Sequence, residues 1–256
     1  MNPPLIGVNL YCFRDFCQSE GELDRTLGRL RAIGFPSVQI SGIGDVPTSA
    51  VERLLVKHGL VACAAHDNLE ALTQRPAQVI AKLKALRCPF TALGYPGDAN
   101  LKPENVPQLV ESLVKAGRAL AAEGLKLGYH NHAQEFLRYQ GTSLLAWIYD
   151  NTPGDALYAE LDTAWVQVGG GSPVAWIRRL AGRMPAVHLK DYRWLEGKPQ
   201  LCEVGQGNLD WPEIFAALVD TGVPVWIVEL DDPVPERDMF QSAELSLHFI
   251  QEFLHR

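Results

Sequence analysis

Eight short apolar runs alternate with longer amphipathic stretches along the whole chain, and this alternation is the strongest constraint on its fold. The predicted strands span residues 5–13, 37–41, 60–68, 90–96, 125–132, 157–165, 186–192 and 225–232. The predicted helices, each with apolar residues at helical spacing, span residues 20–33, 48–58, 74–86, 103–123, 143–150, 173–181, 210–221 and 237–255. Eight strand–helix units of about 32 residues each predict an α/β protein with a (β/α)₈ TIM barrel, a single domain over residues 1–256.

The main alternative with the same element order is an open, doubly wound sheet. That fold predicts a glycine-rich phosphate-binding turn after the first strand, where this chain has Arg14-Asp15-Phe16-Cys17. The run Gly169-Gly170-Gly171 follows the sixth strand without the spacing of a dinucleotide or P-loop motif, so we interpret it as a flexible turn. Residues 193–209 follow the seventh strand and are too long for a simple connection, which predicts a functional loop at the active-site face of a barrel.

Charge and cysteine content exclude several classes of partner and location. The chain has 23 basic and 30 acidic side chains and a net charge of −7, so we expect no nucleic-acid partner. Its five cysteines are scattered without CxxC spacing, which is typical of a protein from a reducing compartment. No basic residue precedes the first apolar stretch, and no run reaches the roughly 18 apolar residues of a membrane span. We therefore expect a cytoplasmic protein that binds a small molecule.

Ionisable side chains recur at the predicted C-terminal ends of five strands, where a buried parallel strand is normally apolar. They are His66-Asp67-Asn68 after strand three, His130-Asn131-His132 and Glu135 after strand five, Glu160 and Asp162 in strand six, His188, Lys190 and Asp191 in strand seven, and Glu229, Asp231 and Asp232 in strand eight. Barrel closure brings these ends to one rim, and so many buried carboxylates repel one another unless a cation lies between them. The sequence therefore predicts a divalent metal site.

A metal site at the barrel mouth requires one ligand from each of several consecutive strand–helix units. We assign the ligands as Glu135, Asp162, His188 and Glu229. Carboxylate and imidazole donors without a thiolate suit Mn²⁺, Mg²⁺, Co²⁺ or Zn²⁺, and the choice among them stays open. Because Glu135 lies three residues beyond the predicted strand end, His132 is an alternative or additional ligand.

Some of these polar residues also have a structural interpretation. His188 is alternatively part of a hydrogen-bonded core network, and we interpret Glu160 as a side chain that supports the metal site without binding the ion. Asp231 and Asp232 are interpreted as solvated loop residues.

Five segments carry a resemblance to a known family. They are Gly128–Phe136 (GYHNHAQEF), Glu160–Trp165 (ELDTAW), Gly182–Asp191 (GRMPAVHLKD), Val204–Trp211 (VGQGNLDW) and Val228–Asp231 (VELD). Together they resemble the sugar phosphate isomerase/epimerase family with the xylose isomerase-like TIM barrel, over nearly the whole chain. The YHNH sequence at residues 129–132 resembles the branch that acts on keto-sugars and inosose-like compounds. The resemblance implies a (β/α)₈ barrel with one divalent metal held by Glu, Asp, His and Glu at the four positions assigned above.

The chemistry that the resemblance implies is ketose isomerisation, epimerisation or dehydration, and all three begin with removal of a proton next to a carbonyl. A metal on the carbonyl oxygen stabilises the enediolate. In the isomerase or epimerase interpretation, Glu135 and Glu229 act as acid/base groups on opposite sides of the substrate. In the dehydratase interpretation, Lys190 or a histidine protonates the departing hydroxyl. We expect the substrate contacts at Asn9, Tyr11, His66, His130, His132, Trp165 and Arg193.

Four functions stay open at this point. The first is a metal-dependent keto-sugar isomerase or epimerase, and the second is a lyase that dehydrates inososes or 3-keto-sugars with the same metal site. The third is an enzyme of the endonuclease IV type, which needs more histidines and a basic surface and is disfavoured by the net charge of −7. The fourth is a non-catalytic sugar-binding barrel, although all four assigned ligands are present. Members of the superfamily often associate, which implies a homo-oligomer.

Overall fold

Eight parallel strands form a closed barrel in a computed structural model whose described residues are 3–232, 234–235 and 237–255. The strands are β1 (Leu5–Asn9), β2 (Ser37–Ile40), β3 (Val61–Asp67), β4 (Phe90–Leu93), β5 (Lys126–His130), β6 (Tyr158–Asp162), β7 (Ala186–Leu189) and β8 (Val225–Val228). Each strand pairs with the next along the chain, and β8 closes the barrel on β1 with Leu5 opposite Val225. The predicted (β/α)₈ barrel and its eight strands are confirmed.

Ten α-helices surround the barrel within the described ranges. They are α1 (Glu20–Ile33), α2 (Thr48–His58), α3 (Leu69–Gln74), α4 (Pro76–Ala85), α5 (Val106–Ala121), α6 (Leu144–Asp150), α7 (Thr163–Val168), α8 (Pro173–Arg179), α9 (Trp211–Thr221) and α10 (Met239–Leu254). The eight predicted helices are present, and α3 and α7 are additional. Helices α1, α2 and α9 end at Gly34, Gly59 and Gly222, whose positive φ angles suit glycine. Among these residues no helix has the length and apolar character needed to cross a bilayer.

Strands β1 and β6 end earlier than predicted, because the last residue of each strand caps the helix that follows. The Asn9 side chain accepts a hydrogen bond from the backbone N–H of Tyr11 at 3.0 Å, and a 3₁₀ helix follows directly. The Asp162 carboxylate accepts a hydrogen bond from the backbone N–H of Trp165 at 2.8 Å, and α7 follows directly. The predicted continuation of each strand beyond its capping residue is therefore wrong.

The segment predicted as a long loop after the seventh strand contains an antiparallel hairpin. Asp191–Leu195 pairs with Lys198–Cys202 around a turn at Glu196 and Gly197, both of which have positive φ. Two consecutive turn residues with positive φ are typical of the type I′ turn that joins twisted strands. Pro199 lies inside the second strand, and a two-stranded ribbon tolerates it because its outer edges are unpaired.

The inside of the barrel changes from apolar to polar along the strands. Side chains two apart on a strand share a face, so Ala186 and His188 both point inward from β7. A small apolar cluster that includes Phe90, Ala186 and Ile227 fills the lower part. The Phe90 ring lies against Gly128, where a Cβ would come within 2.4 Å of it, so only glycine fits at that position. The polar groups at the C-terminal ends of the strands thus lie directly above an apolar layer inside the barrel.

Candidate functional site

Four buried side chains converge at the C-terminal ends of neighbouring strands. His130 ends β5, Asp162 ends β6, His188 lies in β7 and Glu229 directly follows β8. Their ligand atoms lie within 4.8 Å of one another, and each residue is at most 4% exposed. The barrel therefore gathers two imidazoles and two carboxylates at one point, a candidate metal site that we call the metal centre.

The donors at the metal centre fit a divalent cation. Within the described residues, Nδ1 of His130 and Oδ2 of Asp162 are buried and make no hydrogen bond, although the ammonium of Lys190 lies 3.1 Å from that oxygen. A buried polar atom without a partner is costly, so these two atoms are available to a ligand. Two imidazoles with two carboxylates form a donor set that suits Mn²⁺, Co²⁺ or Zn²⁺.

Glu135, assigned as a ligand from the sequence, is not brought to the metal centre, and His130 lies there in its place. The Glu135 carboxylate accepts hydrogen bonds from the Tyr129 hydroxyl at 2.8 Å and from the His132 backbone N–H at 3.0 Å. The second contact folds the side chain back onto the start of its own 3₁₀ helix, Ala133–Phe136. Burial raises the pKa of Glu135 to about 7. His132, the alternative ligand, also lies outside the group.

Lys190 is a buried cation surrounded by carboxylates. Its Nζ lies 2.8 Å from Oε2 of Glu229, 3.1 Å from Oδ2 of Asp162 and 3.0 Å from Oδ1 of Asp231. Burial alone would lower the pKa of Lys190, but these carboxylates outweigh it and raise the pKa well above its ordinary value. An ammonium held this way balances charge, which disfavours its predicted role as a proton donor. Asp231, interpreted from the sequence as solvated, is instead a partner of this cation.

His188 and Glu229 hold each other in charged forms. Nδ1 of His188 lies 2.8 Å from Oε2 of Glu229, and its Nε2 lies 3.4 Å from Oε2 of Glu160. Burial would lower the pKa of His188, but the two carboxylates raise it to about 10. Burial would likewise raise the pKa of Glu229, but His188 and Lys190 hold it well below its usual range. The Glu229 carboxylate is therefore ionised at neutral pH.

A cavity of about 640 Å³ opens onto the metal centre. Four of the seven predicted substrate contacts line it, namely Tyr11, His66, His130 and His132. Glu229 lines it as well, so one residue of the metal centre presents a carboxylate to the cavity. The cavity is therefore the place where a substrate meets the polar groups at the barrel mouth.

The other three predicted contacts have different surroundings. Asn9 is buried and donates to Oε1 of Glu229 at 2.5 Å, so it orients that carboxylate. The ring of Trp165 lies 5.9 Å from that of His132, and its buried Nε1 makes no hydrogen bond within the described part of the chain. Arg193 lies on the hairpin, where it donates to Gln200 at 3.2 Å.

Two residues at the site were missed from the sequence. Gln39 is buried on β2 and makes hydrogen bonds with Glu160 at 2.8 Å and with His188 at 2.7 Å. Arg14 lines the cavity and donates to the Asp232 carboxylate at 2.7 Å. The available signal for Gln39 was a polar side chain in the middle of an apolar strand, which needs a buried partner. No comparable local signal marks Arg14.

The fold and the site together define a (β/α)₈ barrel with a polar centre at the C-terminal ends of its strands, where barrel enzymes have their active sites. The sequence profile of the xylose isomerase-like TIM barrel family matches residues 27–252. The chain belongs to this family, and the resemblance seen in its motifs is confirmed.

The chain is similar in sequence to dehydratases and similar in fold to epimerases. An inosose dehydratase from Clostridium beijerinckii is 27% identical over 160 residues, which cover 56% of this chain and 53% of that protein. The chain thus spans about half the length of the curated relatives it matches. The structure of a sugar phosphate isomerase/epimerase from Parabacteroides distasonis has a TM-score of 0.82 at 21% identity, covering 98% of this chain and 94% of that one. A D-allulose 3-epimerase from Methylomonas sp., solved with D-allulose, has a TM-score of 0.72 at 15% identity, covering 98% of each chain.

Proposed function

We propose that the chain is a divalent-metal-dependent enzyme that isomerises or epimerises a keto-sugar by removing a proton next to its carbonyl group. The observation that carries the proposal is the convergence of His130, Asp162, His188 and Glu229 at the cavity. These four residues are the proposed metal ligands. The chemistry that a bound divalent cation supplies is polarisation of the substrate carbonyl.

Glu229 is the proposed base that takes the proton. It is ionised, it lines the cavity, and Asn9, at the end of the neighbouring strand β1, orients its carboxylate by donating a hydrogen bond to it. Glu135 was the second acid/base group in the interpretation of the sequence, but its carboxylate is held by Tyr129 at 2.8 Å. The imidazoles of His66 and His132 line the cavity instead, and we assign the return of the proton to one of them.

The cavity favours an uncharged, polyhydroxylated ketone over a sugar phosphate. Among the described residues that line it, Arg14 is the single arginine or lysine, and its guanidinium already donates to the Asp232 carboxylate and the Asp231 carbonyl. The carboxylates of Asp67, Glu229, Asp231 and Asp232 line the same cavity. A phosphate group would meet these negative charges without a free cation to pair with.

A dehydratase of inososes or related 3-keto-sugars is the second candidate, and two observations favour it. The curated relatives that the chain matches are inosose dehydratases. In addition, Glu135, which the isomerase interpretation needs as the second acid/base carboxylate beside the metal, lies outside the metal centre and is held by Tyr129. Dehydration begins with the same proton removal and then needs an acid beside the departing hydroxyl, which His66 or His132 would provide.

Metal content and deuterium exchange test the proposal. Protein loaded with Mn²⁺, Co²⁺ or Zn²⁺ is incubated in D₂O with ketoses, inososes, 3-keto-glycosides and phosphorylated ketoses, and exchange is followed by NMR. We expect metal-dependent exchange at the carbon next to the carbonyl, fastest with an unphosphorylated compound and lost in Glu229→Gln. The matched control is Glu244→Gln on the exposed face of α10, which should exchange like the wild type.

The product distinguishes the two candidates, because an isomerase returns an aldose and an epimerase returns a ketone, each with the formula of the substrate, whereas a dehydratase releases water. A protein that binds no divalent metal, or exchange that persists in Glu229→Gln, would overturn the assignment of the site.

A further inference from the structure

A continuous chain of hydrogen bonds runs across the inside of the barrel and ends at His188. Oγ of Ser41 lies 3.2 Å from Nδ1 of His66, and Nε2 of His66 lies 2.5 Å from Oε2 of Glu160. Oε1 of Glu160 accepts from Nε2 of Gln39 at 2.8 Å, and Oε1 of Gln39 lies 2.7 Å from Nε2 of His188. Gln39, Glu160 and His188 are fully buried, so water does not compete for the two bonds that Gln39 makes.

The direction of each bond follows from the donors and acceptors available. Each oxygen of the Glu160 carboxylate has a hydrogen-bond partner, and a carboxylate can only accept. The group of Gln39 that faces Glu160 must therefore be its NH₂ group. The carbonyl oxygen of Gln39 then faces His188, and because a carbonyl only accepts, Nε2 of His188 must carry a proton. The other ring nitrogen, Nδ1, faces Oε2 of Glu229 at 2.8 Å.

We propose that Gln39 and Glu160 are positioning residues that keep a proton on Nε2 of His188, so that Nδ1 is the ring nitrogen that releases its proton and binds a metal. This inference rests on the proposed function, because it concerns His188 as a metal ligand. A ligating histidine is generally oriented by a hydrogen bond at the nitrogen that does not bind, and loss of that partner weakens metal binding 10–100-fold. Here the nearest partner is the neutral amide of Gln39 at 2.7 Å, and the buried carboxylate of Glu160, whose Oε2 lies farther from Nε2 at 3.4 Å, sets the orientation of that amide.

A competing interpretation makes the same residues a second metal site. Ligand atoms of His66, His130, Glu160 and His188 also lie within 4.8 Å of one another. However, both oxygens of Glu160 and Nε2 of His66 already have hydrogen-bond partners, and the NH₂ group of Gln39 points toward this position. Three of the four residues, His66, Glu160 and His188, thus offer atoms that hydrogen bonds already satisfy, and such atoms support the neighbouring site better than they bind a second ion.

Nitrogen NMR of the metal-loaded protein tests the tautomer directly. The chain has seven histidines, and with ¹⁵N-labelled histidine and bound Zn²⁺ a long-range ¹H–¹⁵N correlation shows which ring nitrogen of each carries a proton. The His188 signals are assigned by their absence in His188→Gln. We expect a proton on Nε2 and none on Nδ1. A proton on Nδ1, or two equivalents of Zn²⁺ per chain, would overturn the proposal.

Gln39→Met removes the amide while it keeps the volume of the side chain. We expect the Nε2–H signal of His188 to be lost or broadened and the Kd for Zn²⁺, from calorimetry, to rise 10–100-fold. Ser37→Ala is the matched control on the same strand, because the Ser37 hydroxyl is buried and donates to the Ile6 carbonyl at 2.9 Å, apart from the chain described above. It should leave both readouts unchanged. Unchanged readouts in Gln39→Met would refute the positioning role.

Glu160→Gln provides a second test in case Gln39→Met does not fold. The new amide would accept from Gln39 with its oxygen and turn its NH₂ group toward Nε2 of His66, so Nε2 of His66 would have to accept. We expect His66 to change to its Nδ1–H tautomer, donating to Ser41, while His188 keeps its proton on Nε2. A His66 signal that does not change would contradict the proposed direction of the chain.

These readouts do not use a substrate, so the two proposals can fail separately. If the tautomer and the metal affinities behave as expected but no ketone exchanges deuterium, the proposed function fails and the positioning role stands. If exchange occurs but Gln39→Met leaves the His188 tautomer and the Kd unchanged, the positioning role alone fails.

Discussion

The ammonium nitrogen of Lys190 lies 2.8 Å from Oε2 of Glu229, so a buried cation of the chain already contacts a carboxylate assigned to the metal. Nδ1 of His188 contacts the same oxygen at 2.8 Å. Lys190 and the metal centre thus form a cluster of mutually compensating charges, and removal of one charged member leaves buried charge uncompensated.

Lys190→Met should lower the free energy of unfolding by about 3–5 kcal/mol, because the carboxylates around Lys190 lose their buried counter-charge. Urea denaturation measures this change. Saturating Mn²⁺ should restore part of the loss, since an ion that binds only the folded state stabilises it by mass action. Lys57→Met is the control: Lys57 is exposed and paired with Asp24, and its loss should cost less than about 1 kcal/mol. Equal losses in the two variants would contradict the charge-balancing role.

Asp162→Asn and His130→Gln should each weaken divalent metal binding by at least about 10–100-fold, because each replaces a carboxylate or imidazole donor of the metal centre by a weakly ligating amide. Glu135→Gln should bind metal as the wild type does, since its carboxylate is held by Tyr129 and the His132 backbone. Metal content after dialysis and calorimetric titration with Mn²⁺ are the measurements. Loss of metal in Glu135→Gln together with retention in His130→Gln would restore the ligand set assigned from the sequence.

The barrel was predictable because each strand–helix unit is encoded locally. Apolar runs mark the strands, and Gly34 and Gly59 mark helix ends that need a positive φ. The closeness of His188 and Glu229 was predictable for a different reason. The C-terminal ends of all barrel strands meet at one rim, however far apart the strands lie in the sequence.

The remaining features depend on geometry that no local pattern carries. The chain leaves β5 at His130 and enters a 3₁₀ helix, so spacing along the sequence did not show that Glu135 folds back onto that helix. Gln39 binds Glu160 and His188, which are 121 and 149 residues away in the sequence. Such pairs become neighbours only when the barrel closes. The sequence indicates that a buried polar side chain needs a partner, but it does not indicate which residue that partner is.

Burial raises the pKa of Glu135 to about 7 from an ordinary value of 4.5. This shift makes the free energy of unfolding depend on pH in a predictable direction. Between these two pH values the folded state keeps a proton on Glu135 that the unfolded chain releases, so the free energy of unfolding falls as the pH rises. Glu135→Gln should remove this part of the dependence, about 1–3 kcal/mol across the window. Urea denaturation in small pH steps, with a chelator present, measures it.

The control for this pH dependence is Glu244→Gln, at an exposed position on α10, which should keep the slope of the wild type. If Glu135→Gln kept that slope too, the carboxylate would be ionised in the folded state throughout the window.

Asp191 holds the segment between the hairpin and α9 through one buried carboxylate. Its oxygens accept hydrogen bonds at 2.6–3.3 Å from the backbone N–H groups of Gly205, Gly207 and Leu209 and from the indole N–H of Trp211. The backbone N–H of Tyr192 donates as well, at 2.8 Å, so five donors converge on this carboxylate and require an acceptor at every contact. The segment that follows the hairpin is therefore ordered by this side chain rather than by regular secondary structure.

Asp191→Asn should lower the free energy of unfolding by about 2–4 kcal/mol, because its NH₂ group would face donors and leave at least one of them buried without an acceptor. Urea denaturation measures the loss, and limited proteolysis should show faster cleavage within residues 203–210. Asp210→Asn is the matched control, since Asp210 caps α9 by accepting from the Glu213 N–H and asparagine caps equally well. That variant should change stability by less than about 0.5 kcal/mol. If Asp191→Asn were equally mild, the segment would owe its order to packing, and the carboxylate would be dispensable.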